Sequence, residues 1–349
     1  MSNNALSFSD IATYRRCPKK FFYRSINDLQ KIKKSTNLYL GNLIHEMLKR
    51  YFLALQQGAD QWHAWEEVLN YHDELSDWET YPDLFEDESI AQGQLAEEAM
   101  NIVHRYIEQA DFSEWEILHV EEKFYITLDN GIIISFTPDL VVRDPSGAVW
   151  VVDHKSTSRM PTEGIPFGDL QAMLYLAGVT SLYPECKGFI YNRLRKKVPT
   201  VPRLNKTKDK ASGLYFINNL KHIDTTYEIL MDFITVEAPE LLTNQAHALR
   251  LAELREDTGR FFWTETVYSN EQAIATIIEE VANTVEQAGA DTVFSRNLYE
   301  DNGWNSCSAC PFARICQADL LGWDTQQILL EDYEPRDPKN SYEGEVVRG

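Results

Sequence analysis

The stretch Gly131–Thr157, GIIISFTPDLVVRDPSGAVWVVDHKST, holds two β-branched, aromatic-rich runs joined by the turn formers Asp144-Pro145-Ser146-Gly147. It reads as a β-hairpin. With the turn centred near Pro145 and Ser146, Asp139 faces the neighbourhood of Val152, which brings its carboxylate beside that of Asp153 on the adjacent strand. Lys155 lies two residues beyond Asp153 and so shares its face. Two carboxylates held this close repel unless a cation sits between them, so the hairpin predicts a divalent metal, Mg²⁺ or Mn²⁺, with oxygen ligands. A lysine there can orient or help deprotonate a metal-bound water and stabilise charge building on a phosphate. The expected chemistry is metal-assisted phosphodiester hydrolysis.

D-x-K alone carries little information. The chain repeats it at Asp337-Pro338-Lys339 and offers E-x-K at Glu121 to Lys123 and Glu185 to Lys187. Asp337 sits in a polar tail, and Glu185 follows Pro184 in a turn. Glu121 is on a plausible strand, but no carboxylate-bearing strand precedes it at hairpin distance. Asp153 and Lys155 are set apart by the apolar run AVWVV before them and by Pro138-Asp139 on the preceding strand.

Outward from the hairpin, WEILHVEEKFYITL (115–128) is also strand-forming. An amphipathic helix is expected from about Phe167 to Leu182. The apolar run Gly188 to Leu194 then adds a strand parallel to its neighbour after a crossover. Apolar positions recur at helical spacing over Leu38–Leu55 and Ser89–Ala110, and the acidic, Trp-rich stretch Trp62–Phe85 between them is expected to be helical. Leu214 to Ala288 reads as helix. Ser7 with Asp10 forms a capping-box variant opening a short helix toward Cys17, where Pro18 interrupts it. The fold class is α/β, a mixed central sheet flanked by helices with helical insertions. The 349 residues read as one elaborated domain: a first segment 1–34, a helical region 35–114, the sheet core 115–200, a helical region 201–300, a cysteine segment 301–322 and a tail 323–349.

Two helical pairs support the hairpin. Gly41 stands one turn before His45, allowing close approach to the sheet, and imidazole is an acceptable ligand for Mn²⁺. Gln171 and Tyr175 share a helix face, suited to touching a phosphate or the lysine.

The net charge of −21 is unevenly spread. Tyr14 to Lys34 holds eight Lys or Arg against Asp28, and Lys187 to Lys210 holds nine against Asp209, while Asp73 to Glu98 has ten acids and no base. Such asymmetry suits an acidic exterior that presents basic strips to phosphates. Tyr14, Phe21, Phe22 and Tyr23 interleave the first block, either to stack bases or to form core. No run approaches the roughly 20 apolar residues of a membrane span, and MSNNALSFSD lacks the regions of an export signal. A soluble, cytoplasmic protein is expected.

Five cysteines in such a chain do not make a disulfide framework. Cys307, Cys310 and Cys316 are spaced C-x2-C-x5-C and are matched by the lone Cys17, leaving Cys186 as a small buried hydrophobe. Four thiolates from opposite ends of the chain can close around an iron–sulfur cluster or a structural zinc. Zinc sites usually use two short C-x2-C knuckles, so the isolated first cysteine and the longer last spacing favour iron–sulfur.

Cys17, Gly41-x3-His45, Pro138-Asp139, Asp153-x-Lys155, Gln171-x3-Tyr175 and the final C-x2-C-x5-C occur in an order that resembles the RecB-like branch of the PD-(D/E)XK nucleases. More narrowly, YRRCPKKFFYR and CSACPFARIC resemble segments of its iron-staple members, which include the AddB nuclease domain and small CRISPR-adaptation exonucleases. The resemblance implies that His45, Asp139 and Asp153 ligate the divalent ion with the His154 carbonyl, that Lys155 serves the attacking water, and that Gln171 and Tyr175 support substrate positioning. It also implies that Cys17, Cys307, Cys310 and Cys316 hold a [4Fe-4S] cluster stapling the two ends of the chain. The second acid is Asp rather than Glu, and the long basic segment KGFIYNRLRKKVPTVPRLNKTKDK is more like stand-alone, phage-type exonucleases than CRISPR-adaptation members. Two functions follow: a metal-dependent exonuclease acting on single- or double-stranded DNA ends in recombination, repair or replication, or a non-catalytic DNA-end-binding subunit of a recombination complex. The chain has no G-x4-G-K-[ST], so a helicase would have to be a partner in trans.

Overall fold

The computed structural model describes residues 6–75, 84–110, 112–128, 130–162, 164, 169–298 and 307–336. The capping box is present: Ser7 Oγ accepts the N–H of Asp10 at 3.2 Å, and Asp10 Oδ2 accepts that of Ser7 at 3.1 Å. It joins β1 (Leu6–Ser7) to α1 (Phe8–Arg16). Pro18 ends α1 but takes the first position of α2 (Pro18–Phe21), where its missing N–H is not needed. One π-helical turn, Phe22–Ile26, leads to β2 (Leu29–Lys31).

Three helices follow. α3 (Thr36–Gln56) buries Leu40, Leu43, Ile44, Met47, Leu48, Tyr51 and Phe52, a single apolar stripe. α4 (Gln61–Glu74) lies beside it, and α5 (Gln92–Gln109) buries Leu95, Ala99, Ile102, Val103 and Tyr106. The helix expected across Trp62–Phe85 ends at Glu74, with residues 76–83 outside the described ones, and Phe85 forms a bridge with Lys34.

Two of the long strand-forming runs are each cut in two and shared between sheets. Residues 115–128 give β3 (Glu116–Val120) and β4 (Phe124–Thr127), separated at Glu121, which adopts φ +49°. Residues 131–144 give β5 (Ile133–Phe136) and β6 (Leu140–Arg143), separated at Thr137-Pro138-Asp139, where proline cannot donate to a ladder. Then come β7 (Val149–Thr157), α6 (Leu170–Leu182) and β8 (Cys186–Arg195). The five-stranded sheet has the order β3-β6-β7-β8 plus a further edge strand, with β7 and β8 parallel. β1, β5 and β4 form a separate three-stranded sheet.

The expected all-helical stretch 214–288 needs correction. α7 (Tyr227–Glu237) and α8 (Gln245–Glu256) build a satellite core around Leu230, Ile234, Leu251 and Leu254, but β9 (Phe262–Tyr268) is the edge strand, antiparallel to β8. FWTETVY is β-branched and aromatic, the composition that fits a half-buried edge. α9 (Glu271–Ala290) then packs against α6 and α1. α10 (Ala313–Leu320), α11 (Gln326–Asp332) and β10 (Tyr333–Pro335) end the described chain.

Strand alternation divides the core. Val142, Val152 and Ile190 face α3 and α5, whereas Val141, Val151 and Phe189 face α6 and α9. α6 is covered on the sheet side and again by α9, so it is apolar around its circumference rather than amphipathic, with Gln171 and Tyr175 buried; the expected start at Phe167 falls outside the described residues. β10 pairs with β2, and Tyr23, Phe312, Ile315 and Tyr333 form a small core where the two ends of the chain meet. Among the described residues, no helix is long and apolar enough to cross a membrane.

Candidate active site

The hairpin register is Leu140↔Val152 through Arg143↔Val149. Asp139, one residue before the ladder, is therefore level with Asp153, a shift of one from the position next to Val152 that the turn suggested. The shift comes from the turn: Asp144 Oδ1 accepts the N–H groups of Ser146 (2.8 Å) and Ala148 (3.0 Å), drawing Ala148 into the loop.

α3 carries His45 to this point. Its Nδ1 lies 3.4 Å from Asp139 Oδ1, while Asp139 Oδ2 accepts the backbone N–H of His154 at 2.6 Å. Glu121, placed by the break between β3 and β4, joins them, and one ligand atom from each of His45, Glu121 and Asp139 lies within 4.8 Å of the others. Asp153, 2% exposed, belongs to a second group. Its Oδ1 accepts Gln171 Nε2 at 2.6 Å, Lys155 Nζ stands 2.8 Å from Oδ2, and Lys155 also donates to Gln171 Oε1 at 2.5 Å. Tyr175 packs on Phe136, with its hydroxyl at Gln171 and the Thr137 backbone. His45, Asp139, Asp153, Lys155, Gln171 and Tyr175 thus meet in one cleft. His154 meets it through its backbone N–H and ring.

The charges are strongly coupled. Burial works against protonated His45, but the Asp139 carboxylate outweighs it and raises the imidazole to about 9. Burial, reinforced by the Asp139 charge, pushes Glu121 up to about 8. Asp139 is held well below the usual carboxylate range: burial opposes this, and the neighbouring His45 and His154 override it. Burial pushes Asp153 up, against the pull of Lys155. Lys155 is raised because Asp153 outweighs its own burial. The cleft therefore holds more buried carboxylate than its own cations comfortably balance.

An imidazole and hard carboxylate oxygens form a donor set suited to Mg²⁺ or Mn²⁺. Asp153 Oδ2 adds to the fit, since it is buried and, apart from the Lys155 ion, has no hydrogen-bond partner among the described residues.

Sequence reasoning missed Glu121 because it sought a hairpin before it. Its strand instead pairs with β6, downstream, and its N–H donates to the Asp139 carbonyl at 3.0 Å. The signal available was E-x-K on a strand-forming run. Tyr106, whose hydroxyl meets the His154 ring, and Asn192, which donates to that hydroxyl, gave no signal at all.

At the other pole, all five cysteines are free of disulfides. Cys310 lies within electrostatic reach of Cys17, Cys316 and Lys20, and burial pushes its thiol up. Cys307 is exposed, its thiol 3.6 Å from the Asn297 carbonyl. Of the aromatics beside Cys17, Tyr14, Phe21 (1% exposed) and Tyr23 (4%) are core and so not free to stack bases, while Phe22 is half-buried against the same cluster. Half of the first basic block is ion-paired: Arg15 with Glu280, Lys19 with Asp319, Lys31 with Glu86 and Lys33 with Glu88. Arg203, Lys206, Lys208 and Lys210 of the second block are exposed.

A family model for the PD-(D/E)XK nuclease superfamily matches residues 5–317. The chain belongs to this superfamily. Among solved structures it is similar to the crystal structure of SSO0001, at 10% identity and a TM-score of 0.36, covering 91% of this chain and 88% of that one. It is also similar to a Eubacterium rectale protein named "Putative exonuclease", at 10% identity and a TM-score of 0.43, covering 90% and 88%. No curated protein matches it.

Proposed function

We propose that this superfamily member is a metal-dependent DNA exonuclease that hydrolyses phosphodiester bonds at DNA ends. The observation that carries the reading is the meeting of Asp139, Asp153 and Lys155 in one buried cleft with His45 and Glu121. A module that only bound DNA ends would have no use for that set together. A divalent cation held by His45, Asp139 and Asp153, with Glu121 beside them and the His154 carbonyl as a further oxygen, would supply Lewis-acid activation of water and neutralise phosphate charge. Lys155 orients the attacking water and offers positive charge to the scissile phosphate. Gln171 fixes Lys155 and Asp153 through its two amide atoms, and Tyr175 braces Gln171. The exposed cations between Arg203 and Lys210 guide the strand.

Cys17, Cys307, Cys310 and Cys316 hold a [4Fe-4S] cluster in this reading. Its support is the packing of the first-cysteine segment against the last, where Cys310 and Cys316 lie against the core that Tyr23 joins and Cys310 is within electrostatic reach of Cys17. The protein works in the cytoplasm, with any helicase or recombination partner supplied in trans.

The test is to incubate purified protein with end-labelled linear DNA and with circular DNA, single- and double-stranded, in Mg²⁺ or Mn²⁺. Linear substrates should be degraded from their ends and circles spared. An Asp153→Ala protein that cuts as well as the parent would place the chemistry elsewhere, and inactivity of both would favour the end-binding subunit.

A further inference from the structure

We propose that the His154 imidazole is a positioning residue for Asp139, oriented by a hydrogen-bond chain through Tyr106 and Asn192 to Thr264 on the edge strand. The inference rests on the reading that Asp139 helps to hold a divalent cation.

His154 lies between Asp153 and Lys155 in the chain, so strand alternation sends its ring to the opposite face, under α3 and α5. There it is 1% exposed, stacked on Phe52 (5.9 Å between centroids, 26°) and edge-on to Tyr106 (5.0 Å, 83°). The residue reaches Asp139 Oδ2 twice, through its backbone N–H at 2.6 Å and through Nδ1 at 3.3 Å. The far nitrogen, Nε2, is 2.8 Å from the Tyr106 hydroxyl. Asn192 Nδ2 donates to that hydroxyl at 2.8 Å, and Thr264 Oγ1 donates to Asn192 Oδ1 at 2.9 Å.

The donors and acceptors run in one direction. Tyr106 accepts from Asn192, so its single proton goes to His154 Nε2, which must accept it. The ring proton of neutral His154 then sits on Nδ1, facing the Asp139 carboxylate. Running the chain backwards would set the Nδ1 lone pair against a carboxylate oxygen, which electrostatics opposes. Four side chains from α5, β7, β8 and β9 therefore fix one tautomer. Oδ2 of Asp139 then faces two donors of His154, the backbone N–H at 2.6 Å and Nδ1 at 3.3 Å, which restrains the carboxylate and leaves Oδ1 facing His45. Partners of this kind behind a metal ligand are typically worth about 10–100-fold in metal affinity.

The experiment uses the full chain, stripped of metal and titrated with Mn²⁺ by calorimetry, with thermal melts of each metal-free variant. His154→Asn keeps an amide donor near the Nδ1 position, whereas His154→Gln moves it to the Nε2 position and leaves Oδ2 without a side-chain donor. His154→Asn should bind Mn²⁺ within about 3-fold of wild type, and His154→Gln and Tyr106→Phe should bind about 10–100-fold more weakly. A ring that merely filled space would make the Asn and Gln variants equivalent in both melting and Mn²⁺ binding. Equal Mn²⁺ affinities for those two, or an unchanged affinity in Tyr106→Phe, overturn the proposal. Asp139→Asn separates the two levels: if it binds Mn²⁺ as well as wild type, the metal reading fails and this inference with it. If Asp139→Asn loses Mn²⁺ while the His154 variants stay alike, only the positioning role fails.

Discussion

Gly41 of α3 lies against Ser156 at the end of β7, so close that a Cβ on Gly41 would stand 3.0 Å from Ser156 Oγ and 3.3 Å from Lys196 Nζ. One helical turn later the same helix presents His45 to Asp139. Both obstructing atoms are at side-chain ends, and the contact is tighter than ordinary packing without being impossible. Gly41→Ala should therefore melt within about 1 kcal/mol of wild type, its helix propensity offsetting the crowding. Gly41→Val should cost about 1–3 kcal/mol through overpacking and push His45 away from the cleft. The check is a denaturant melt alongside Mn²⁺ titration, and a valine variant equal to wild type in both would show that the helix does not need this approach.

The second basic block divides into cations with an ion pair and exposed cations without one among the described residues, of which Lys208 lies over the Tyr215 ring. Arg195 and Lys197 share Asp224, and Arg193 pairs with Glu265, but Lys206, Lys208 and Lys210 are exposed with no ion pair among the described residues. Replacing these three lysines by alanine in an Asp153→Ala background should weaken binding to labelled single-stranded DNA. If each neutralises one phosphate, the slope of log K against log salt falls by about 2. Fluorescence anisotropy over a salt series reads this directly, and an unchanged slope removes the loop from the DNA path.

Loss of the cysteine centre should act on the ends of the chain before the cleft. Tyr23 stacks on Phe312 at 5.7 Å, Lys19 pairs with Asp319 at 2.8 Å, and β2 pairs with β10, all around Cys17, Cys310 and Cys316. Cys17→Ser should lower hydrogen-exchange protection of β2 and β10 while leaving Mn²⁺ binding at Asp139 intact. Anaerobically purified wild type should be brown and contain iron and sulfide in equal amounts. A colourless protein with stoichiometric zinc would refute the iron assignment.

His247 should make the satellite core acid-sensitive. Its ring is 1% exposed, stacked on Phe216 at 5.7 Å, with Nδ1 at Asn244 Oδ1 (3.0 Å) and Nε2 buried without a partner among the described residues. Burial holds it below the ordinary histidine value. The folded state thus prefers the neutral ring. The stability this contributes is fully present above the unfolded pKa of about 6.5 and is lost as pH falls below it toward the folded value. Exchange protection of α7 and α8 should drop as the pH falls below about 6.5 while β7 keeps its own, and His247→Phe should abolish the difference.

The local features were legible in the residues because their causes are local. Turn formers at 144–147, valine alternation on either side, the Ser7–Asp10 cap and the apolar stripe of α3 each depend on neighbours a few positions away. β9 was not legible in the same way, since FWTETVY becomes a strand by pairing with β8 some seventy residues upstream. The same holds for α6, whose apolar circumference makes sense only between two packed layers.

By itself, then, the sequence determined the hairpin, its Asp139, Asp153 and Lys155, and the helices that carry His45 and Gln171, through periodicity and turn chemistry. Only the tertiary structure decided that two of the long strand-forming runs break at Glu121 and at Pro138-Asp139, which turns both acids into one cleft. It alone decided that Tyr106, Asn192 and Thr264 stand in line behind His154. Such contacts join residues far apart in the chain, and they exist because burying the whole sheet leaves each polar group one place to find a partner.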